Sequence, residues 1–166
     1  MDAIVRVDGA WGIGKDNDLI CPLPPDMKYF RETTRESVVV LGKRNLESFP
    51  QQKPLPKRRN IILSSSLPLS EEYEVFRNLK DLLEMLKTIE KERIFVIGGQ
   101  QVYEELLPYC HKAYVTKMDQ TFEADCYFPN LDCLDSWRLI EESKIEQWED
   151  IRYRFCCYEN QRPIQL

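Results

Sequence analysis

The chain has 166 residues, of which 43% are hydrophobic and 31% charged, a composition typical of one folded domain of ordinary size. Its formal net charge of -5 argues against a nucleic acid or an anionic membrane as the main partner. No apolar run reaches the length of a membrane span, and residues 1–7 do not resemble a secretory signal. We therefore expect a cytoplasmic protein with a single domain over residues 1–166.

The predicted strands and helices alternate along the chain. A strand at residues 3–7 precedes a helix at 24–34, a strand at 37–42 and a helix at 43–48. Next come strands at 60–64 and 73–76, a helix at 79–89, a strand at 93–99, a helix at 101–107, and strands at 113–118, 137–143 and 153–158. This pattern indicates an α/β domain with a mostly parallel central sheet, flanking helices and an antiparallel C-terminal edge.

The cysteines and the histidine limit the possible chemistry. The six cysteines include no Cys-x-x-Cys, and the adjacent Cys156 and Cys157 would point to opposite faces of a strand. His111 is the only histidine, which argues against a zinc site and against a histidine-based triad. We expect reduced, structural cysteines, no metal, and proton transfer that depends on a carboxylate, a tyrosine, a lysine or water.

Asp26 lies in the first turn of the first predicted helix, on the same face as Phe30 and next to Met27. One interpretation is an ordinary first-turn acid that interacts favourably with the helix dipole. The other is a carboxylate on the floor of a cleft that binds a cationic or amide-like heterocycle, since burial of an ion without a partner is expensive. The helix pattern alone favours the first interpretation.

Two turns from a strand to a helix carry glycine. Gly98 and Gly99 would let a phosphate approach the backbone at a helix N-terminus, although such pairs also occur as plain tight turns. Gly42 is followed by Lys43 and Arg44, two cations that oppose the helix dipole and would suit an anion, or that form a solvated basic turn. Together the two turns fit the two ends of a dinucleotide.

Residues 9–23 contain no predicted helix or strand. Structureless segments of this length are uncommon in compact domains unless they serve as lids or binding loops. Trp11 and Ile13 within the segment are either packing anchors or parts of such a lid. We expect the segment to be mobile in both cases.

Several short motifs follow one another along nearly the whole chain. The first two are Trp11-Gly-Ile-Gly14 and Leu23-Pro24-x-Asp26-Met-x-x-Phe30. The others are Val40-Leu41-Gly42, Leu46-Glu47-Ser48, Pro54-Leu55-Pro56 with Arg58, Asn60-Ile-Ile-Leu-Ser-Ser65, Val96-Ile-Gly-Gly99, Val102-Tyr103, Tyr114-Val-Thr116 and Asp125-x-x-Phe128-Pro129. As an ordered set these motifs are highly specific, and through them the chain resembles the dihydrofolate reductase family over nearly its whole length. The resemblance favours the functional interpretation of Asp26 and of both glycine turns.

The resemblance implies reduction of 7,8-dihydrofolate to tetrahydrofolate by hydride transfer from NADPH. Asp26 and Thr116 are the expected catalytic residues, with Asp26 holding N3 and the 2-amino group of the pterin while water delivers the proton to N5. Arg58 would bind the α-carboxylate of the glutamate tail. The expected substrate-binding residues are Ile4, Val5, Asp26, Met27, Phe30, Leu55, Arg58 and Thr116.

The resemblance also implies a cofactor site, with residues 9–23 as the lid over the nicotinamide. The expected cofactor-binding residues are Arg6, Ile13, Gly14, Asn17, Leu19, Gly42, Lys43, Arg44, Asn45, Ser64, Ser65, Gly98, Gly99, Gln100, Gln101, Val102 and Tyr103. Arg44 and Ser65 are expected to bind the 2′-phosphate that distinguishes NADPH from NADH. We expect a monomer that binds these small molecules, with neither a nucleic acid nor a membrane as partner.

Five positions depart from the usual family pattern. Arg6 replaces a small residue beside the expected nicotinamide, and Cys21 replaces a lid tryptophan that helps to order water near the pterin. Gln100 replaces a third glycine, Gln101 a frequent cation and Asn45 a frequent threonine. These changes concern rate, cofactor affinity and antifolate sensitivity more than the reaction class.

Two alternatives stay open at the level of sequence. One is a related pterin- or pyrimidine-reducing enzyme of the same fold, against which Asp26, Phe30 and Arg58 argue because they suit a pterin with a glutamate tail. The other is a folate- or nucleotide-binding protein without activity, and Arg6 is the residue that supports it.

Overall fold

The computed structural model describes residues 1–90 and 93–166. The strands are β1 (Asp2–Val7), β2 (Gly12–Lys15), β3 (Asp18–Leu19), β4 (Val38–Gly42), β5 (Arg59–Leu63), β6 (Glu74–Phe76), β7 (Ile94–Gly98), β8 (Lys112–Met118), β9 (Cys126–Tyr127), β10 (Trp137–Glu142), β11 (Glu146–Trp148) and β12 (Ile151–Asn160). The α-helices are α1 (Pro24–Thr34), α2 (Lys43–Ser48), α3 (Leu79–Leu86) and α4 (Gln100–Leu106), and short 3-10 helices lie at Pro50–Gln52, Leu107–Tyr109 and Leu131–Cys133. No helix of the described chain has the length and apolarity needed to cross a membrane.

The central sheet confirms the predicted α/β class. Its strand order is β10-β12-β8-β1-β7-β4-β5-β6, and β11 pairs with β12. The pairs among β8, β1, β7, β4, β5 and β6 are parallel, whereas β12 runs antiparallel to β8, β10 and β11. The antiparallel edge therefore lies at the C-terminal end of the chain, as the absence of a predicted helix between the last two strands indicates.

Alternate residues of the parallel strands pack into two separate apolar layers. On β1, Val5 faces the layer that contains Leu82 of α3 and Leu106 of α4. Ile4 faces the opposite layer, with Phe30 of α1 and Leu46 of α2. The sheet is therefore covered by α1 and α2 on one face and by α3 and α4 on the other, and residues at the strand ends remain available for a site.

The prediction that residues 9–23 lack regular structure is wrong, because β2 and β3 form a hairpin there. Asp16 and Asn17 occupy its two-residue turn with φ of 51° and 62°, and Lys15 pairs with Asp18. A two-residue hairpin turn of this kind requires positive φ at both central residues, which Asp and Asn tolerate. The hairpin also pairs with β9, so the segment belongs to a small three-stranded sheet. We call β2, β3 and β9 the lid sheet.

Helix α3 ends at Leu86, three residues before the predicted end. The amide of Thr88 donates to the Met85 carbonyl and that of Ile89 to the Leu86 carbonyl, both with i→i+3 spacing. The Thr88 hydroxyl also donates to Met85 at 2.7 Å. These tighter bonds satisfy the last carbonyls and stop the α-helix, although the apolar spacing continues to Ile89.

The carboxylate of Asp8 joins the lid sheet to the end of β1. It is 1% exposed and accepts three backbone N–H bonds, from Ala10 at 2.9 Å and Gly12 at 2.8 Å on Oδ1, and from Phe122 at 2.9 Å on Oδ2. Since buried N–H groups without an acceptor cost free energy, this one side chain stabilises both segments that lead to β2 and β9.

We expect Asp8→Ala to lower the free energy of unfolding by about 3 kcal/mol, because three N–H groups lose their acceptor. Asp8→Asn keeps one acceptor oxygen and should cost less, while substitution of the exposed Asp135 by Ala should leave stability unchanged. Urea denaturation measures all three. Equal stability of Asp8→Ala and the Asp135 control would contradict the anchoring role of Asp8.

Candidate active site

A large cleft of about 1870 Å³ lies at the carboxyl ends of β1, β4, β5 and β7. In parallel sheets this edge is where ligands bind, because the connecting loops and helix N-termini converge there. The first turns of α1, α2 and α4 and the lid sheet complete its walls. This volume exceeds what one small molecule needs and suits two ligands side by side, one of which could be a dinucleotide.

Asp26 lies on the floor of the cleft between two neighbouring strands. The parallel register of β1 and β8 places Arg6 directly beside Thr116. The Thr116 hydroxyl donates to Asp26 Oδ1 at 2.6 Å, and Arg6 Nη1 lies 3.5 Å from Asp26 Oδ2. Helix α1 thus brings its first-turn carboxylate onto two polar side chains that the sheet holds side by side.

Burial dominates the protonation of this group. It raises the pKa of Asp26 above the usual aspartate value, more than the Thr116 hydrogen bond and the Arg6 charge lower it. Burial also lowers the pKa of Arg6, and the nearby Asp26 acts in the opposite direction. The floor of the cleft therefore holds a carboxylate with increased proton affinity, ready to accept N–H donors from a ligand.

Apolar side chains surround the Asp26 carboxylate. Ile4 is buried, and Phe30 and Leu55 are partly buried against the same apolar layer. Met27 also lines the cleft, although it is 43% exposed. The arrangement forms an apolar slot with one anionic contact, which suits a flat heterocycle.

Arg58 and Arg31 lie at one end of the cleft. The Thr34 hydroxyl accepts a hydrogen bond from Arg58 Nη1 at 3.1 Å, and the Pro56 carbonyl accepts one from Nε at 3.0 Å. Partial burial lowers the pKa of Arg58, and the positive charge of Arg31 adds to that effect. Two cations held close together in this way favour a bound anion.

Asn60 shapes the loop that carries Leu55 and Arg58. Its Oδ1 accepts from the Leu55 amide at 3.0 Å, and its Nδ2 donates to the Leu55 and Arg58 carbonyls at 2.9 Å and 3.0 Å. Asn60 is buried, so these bonds are shielded from water. A single neutral side chain thereby fixes the loop against the start of β5.

The two glycine turns lie next to each other at the other end of the cleft. Leu41 pairs with Gly98 across β4 and β7, and the Gly98–Gly99 peptide is cis. Gly98 has a φ of 113°, and a Cβ there would lie 2.9 Å from the Tyr103 ring. A Cβ on Gly42 would lie 3.1 Å from Val102. Gly98 therefore requires glycine, whereas a Cβ on Gly42 would only make Val102 shift by a few tenths of an ångström. A Cβ on Gly99 would meet no atom within 4 Å, so the backbone there is open to a ligand.

Cations surround the serines at the end of β5. Lys43 Nζ lies 3.3 Å from the Ser66 hydroxyl, and Arg77 Nη1 donates to the Ser64 and Leu67 carbonyls at 3.2 Å and 2.6 Å. Arg44 lines the same part of the cleft. The cluster offers hydroxyl and guanidinium donors suited to phosphate groups.

The lid sheet forms the remaining wall and is tied to the rest of the site. Asp125 Oδ2 accepts from the Asp16 amide at 3.0 Å, which lowers the pKa of Asp125, and the Asp125 amide donates to the Gly14 carbonyl at 2.9 Å. Gln100, in the first turn of α4, accepts from the Tyr127 amide at 2.8 Å. The lid is therefore in contact with the helix that follows the Gly98–Gly99 turn.

The cleft brings together nearly all of the predicted site residues. The exceptions are Thr116, which is 2% exposed and reaches the cleft through Asp26, and Gly98, which is buried beneath Tyr103. The cleft also contains side chains that the sequence analysis did not assign to the site, among them Arg31, Phe49, Lys53, Arg77, Asp125 and Cys126. Arg31 lies one helical turn after Met27 on α1, so helical periodicity could have indicated that it belongs to the site. The positions of Arg77 and Cys126 have no local sequence signal.

Comparison with known proteins agrees with this geometry. The family model "Dihydrofolate reductase" matches residues 1–162. The chain is 38% identical to dihydrofolate reductase of Bacillus subtilis, over 94% of this chain and 92% of that protein. It is 33% identical to that of Staphylococcus haemolyticus, over 96% and 95%, and 32% identical to that of Rattus norvegicus, over 96% of both chains. With this coverage and the cleft built around Asp26, the chain belongs to the dihydrofolate reductase family.

Proposed function

We propose that this chain catalyses the NADPH-dependent reduction of 7,8-dihydrofolate to 5,6,7,8-tetrahydrofolate. The observation that carries the proposal is the buried Asp26 carboxylate, held by Thr116 at 2.6 Å on the floor of an apolar slot. The slot opens at one end to Arg58 and at the other to the paired glycine turns. Its shape therefore matches a flat ring with an anionic tail beside a dinucleotide.

The substrate end supports a pterin with a glutamate tail. The N3–H and 2-amino groups of a pterin are donors, and Asp26 offers two acceptor oxygens at the closed end of the slot. Ile4, Phe30 and Leu55 would contact the rings, while Arg58 and Arg31 would face the tail carboxylate. This combination favours a folate substrate over the tail-less pyrimidines of related reductases.

The cofactor end fits NADPH. The backbone at Gly42 and Gly99 would admit the pyrophosphate, with Lys43 beside it and with Arg44, Ser64 and Ser65 near the 2′-phosphate. The lid residues Ile13, Gly14, Asn17 and Leu19 would cover the nicotinamide together with Val102 and Tyr103. When bound, NADPH supplies the hydride that reaches C6 of dihydrofolate.

The chain's own residues would bind and orient the two ligands and shield them from water. Asp26 would fix the pterin and polarise it toward protonation at N5, with water bringing the proton; the neighbouring Arg6 pairs with Asp26 and is assigned no proton transfer. The lid sheet excludes bulk water during transfer. We also propose a monomer in a reducing compartment such as the cytoplasm, which the six free cysteines of the chain suit.

We expect Asp26→Asn to lower kcat/KM for dihydrofolate at pH 7 by about 10²–10³-fold, because the ring loses its anionic contact. Activity should recover partly as the pH falls, since more of the substrate is then protonated before it binds. The control is Glu32→Gln on the exposed side of α1, which should keep full activity. NADPH absorbance measures turnover, and wild-type activity of Asp26→Asn at pH 7 would refute the role.

Arg44→Ala tests the choice of cofactor. Loss of a charge-assisted contact to the 2′-phosphate should raise KM for NADPH about 10–100-fold and change KM for NADH by less than about threefold. Lys87→Ala removes an exposed cation at the end of α3 and should change neither value. An equal loss of affinity for both cofactors would exclude 2′-phosphate recognition by Arg44.

Arg58→Leu tests the glutamate tail. KM for dihydrofolate should rise about 10–100-fold, because a charge-assisted contact to the α-carboxylate is lost. A dihydropterin without the tail should be reduced equally well by variant and wild type. Arg35→Leu, at the exposed end of α1, is the matched control. If Arg58→Leu impairs both substrates equally, Arg58 shapes the loop and does not bind the tail.

A further inference from the structure

Arg6 is a buried cation in the cleft to which the proposed reaction assigns no step. Its side chain is 6% exposed, and it lies on β1 on the same face as Ile4, toward α1. Nη1 lies 3.5 Å from Asp26 Oδ2. Nη2 is buried as well and has no hydrogen-bond partner within the described residues.

An arginine in this state is costly for the folded protein. Burial lowers its pKa, and a buried guanidinium nitrogen without an acceptor adds a further desolvation cost. Asp26 offsets the charge, but at 3.5 Å the contact is long for a charge-assisted bond. Because Arg6 lines the cleft, a bound ligand is the available source of the missing acceptor.

Asp26 and Arg6 together define a hydrogen-bond pattern. A lone carboxylate accepts two N–H donors, and the ligand that matches it best is a ring protonated into an amidinium. A carboxylate next to a guanidinium offers an acceptor beside a donor. The matching edge is that of a neutral cyclic amide, in which N–H stands next to C=O.

We propose that Arg6 is a specificity-determining residue, which together with Asp26 makes the cleft select neutral 2-amino-4-oxo rings over protonated 2,4-diamino rings. The inference rests on the proposed function, because the pterin of dihydrofolate is a 2-amino-4-oxo ring. Exchange of the 4-oxo group for an amino group removes the acceptor and, on protonation of the ring, adds a positive charge close to Arg6.

The charges of Asp26 and Arg6 favour the same neutral ligand. Without Arg6 the floor of the cleft would carry one net negative charge, which attracts a cationic ring. With Arg6 the pair is balanced, and a cation that contacts Asp26 also meets the guanidinium across a few ångströms of low-dielectric surroundings. The neighbouring Thr116 is neutral and already donates to Asp26, so it leaves this balance unchanged.

The test compares two ligands that differ in one exocyclic group, folate and 4-amino-4-deoxyfolate. Their dissociation constants are measured by quenching of protein fluorescence, with NADPH present, for wild type, Arg6→Met and Arg6→Lys. Methionine keeps the length and burial of the side chain without its charge, and lysine keeps the charge. Thermal denaturation verifies that each variant is folded, and Arg6→Gln replaces Arg6→Met if the latter does not fold.

We expect Arg6→Met to shift the ratio of the two dissociation constants about tenfold or more toward the diamino ligand, equivalent to about 1.4 kcal/mol. Arg6→Lys should keep the wild-type ratio within about threefold. An unchanged ratio in Arg6→Met, or the same shift in Arg6→Lys, would overturn the proposal. Wild type that neither binds folate nor oxidises NADPH with dihydrofolate would instead refute the proposed function, so the two failures are distinguishable.

Discussion

The site depends on one constraint, the burial of the Asp26 carboxylate where α1 meets the ends of β1 and β8. A buried anion must have partners, and the parallel register of these strands supplies Thr116 and Arg6 side by side. Because α1 has two prolines at its start and no side-chain N-cap, the position of its first turn is determined by this contact and by packing of Phe30.

Neutral amides brace the loop at one end of the cleft and the helix at the other. Asn60 binds the backbone of the loop that presents Arg58, and Asn45 donates to the Ile97 carbonyl at 2.9 Å, joining α2 to the strand that ends in the glycine turn. Charged braces at these positions would compete for the anionic ends of the ligands. Amides fix the loops without adding charge, so the cations remain available for carboxylate and phosphate. Asn45 thus has a structural role at a position where the family often has threonine.

The sequence predicts the central sheet and the glycine turns at its edge, because both depend on local patterns. The β-branched run in β4 indicates a buried strand, which the structure contains, and the glycines at 42, 98 and 99 lie at the two strand-to-helix turns. The lid sheet was missed because β3 and β9 have two residues each and are defined by long-range pairing and by Asp8. The Asp16-Asn17 turn is the local signal that could have revealed the hairpin. The Arg6–Asp26 contact joins residues 20 positions apart, which no periodicity encodes.

The Arg6–Asp26 contact affects both the polarisation of a bound pterin and the attraction of the site for cationic rings. A free carboxylate polarises a pterin most strongly, since its field is not cancelled, but it also attracts any cationic ring. A nearby guanidinium reduces both effects, and the distance between the two groups decides by how much. At 3.5 Å, with Thr116 bound to the other oxygen at 2.6 Å, Oδ2 remains able to accept from a ligand while its charge is largely balanced. A loose ion pair of this kind keeps the orienting contact for a neutral pterin and gives up part of the electrostatic attraction, which ties catalytic power and ligand selectivity to one pair of side chains.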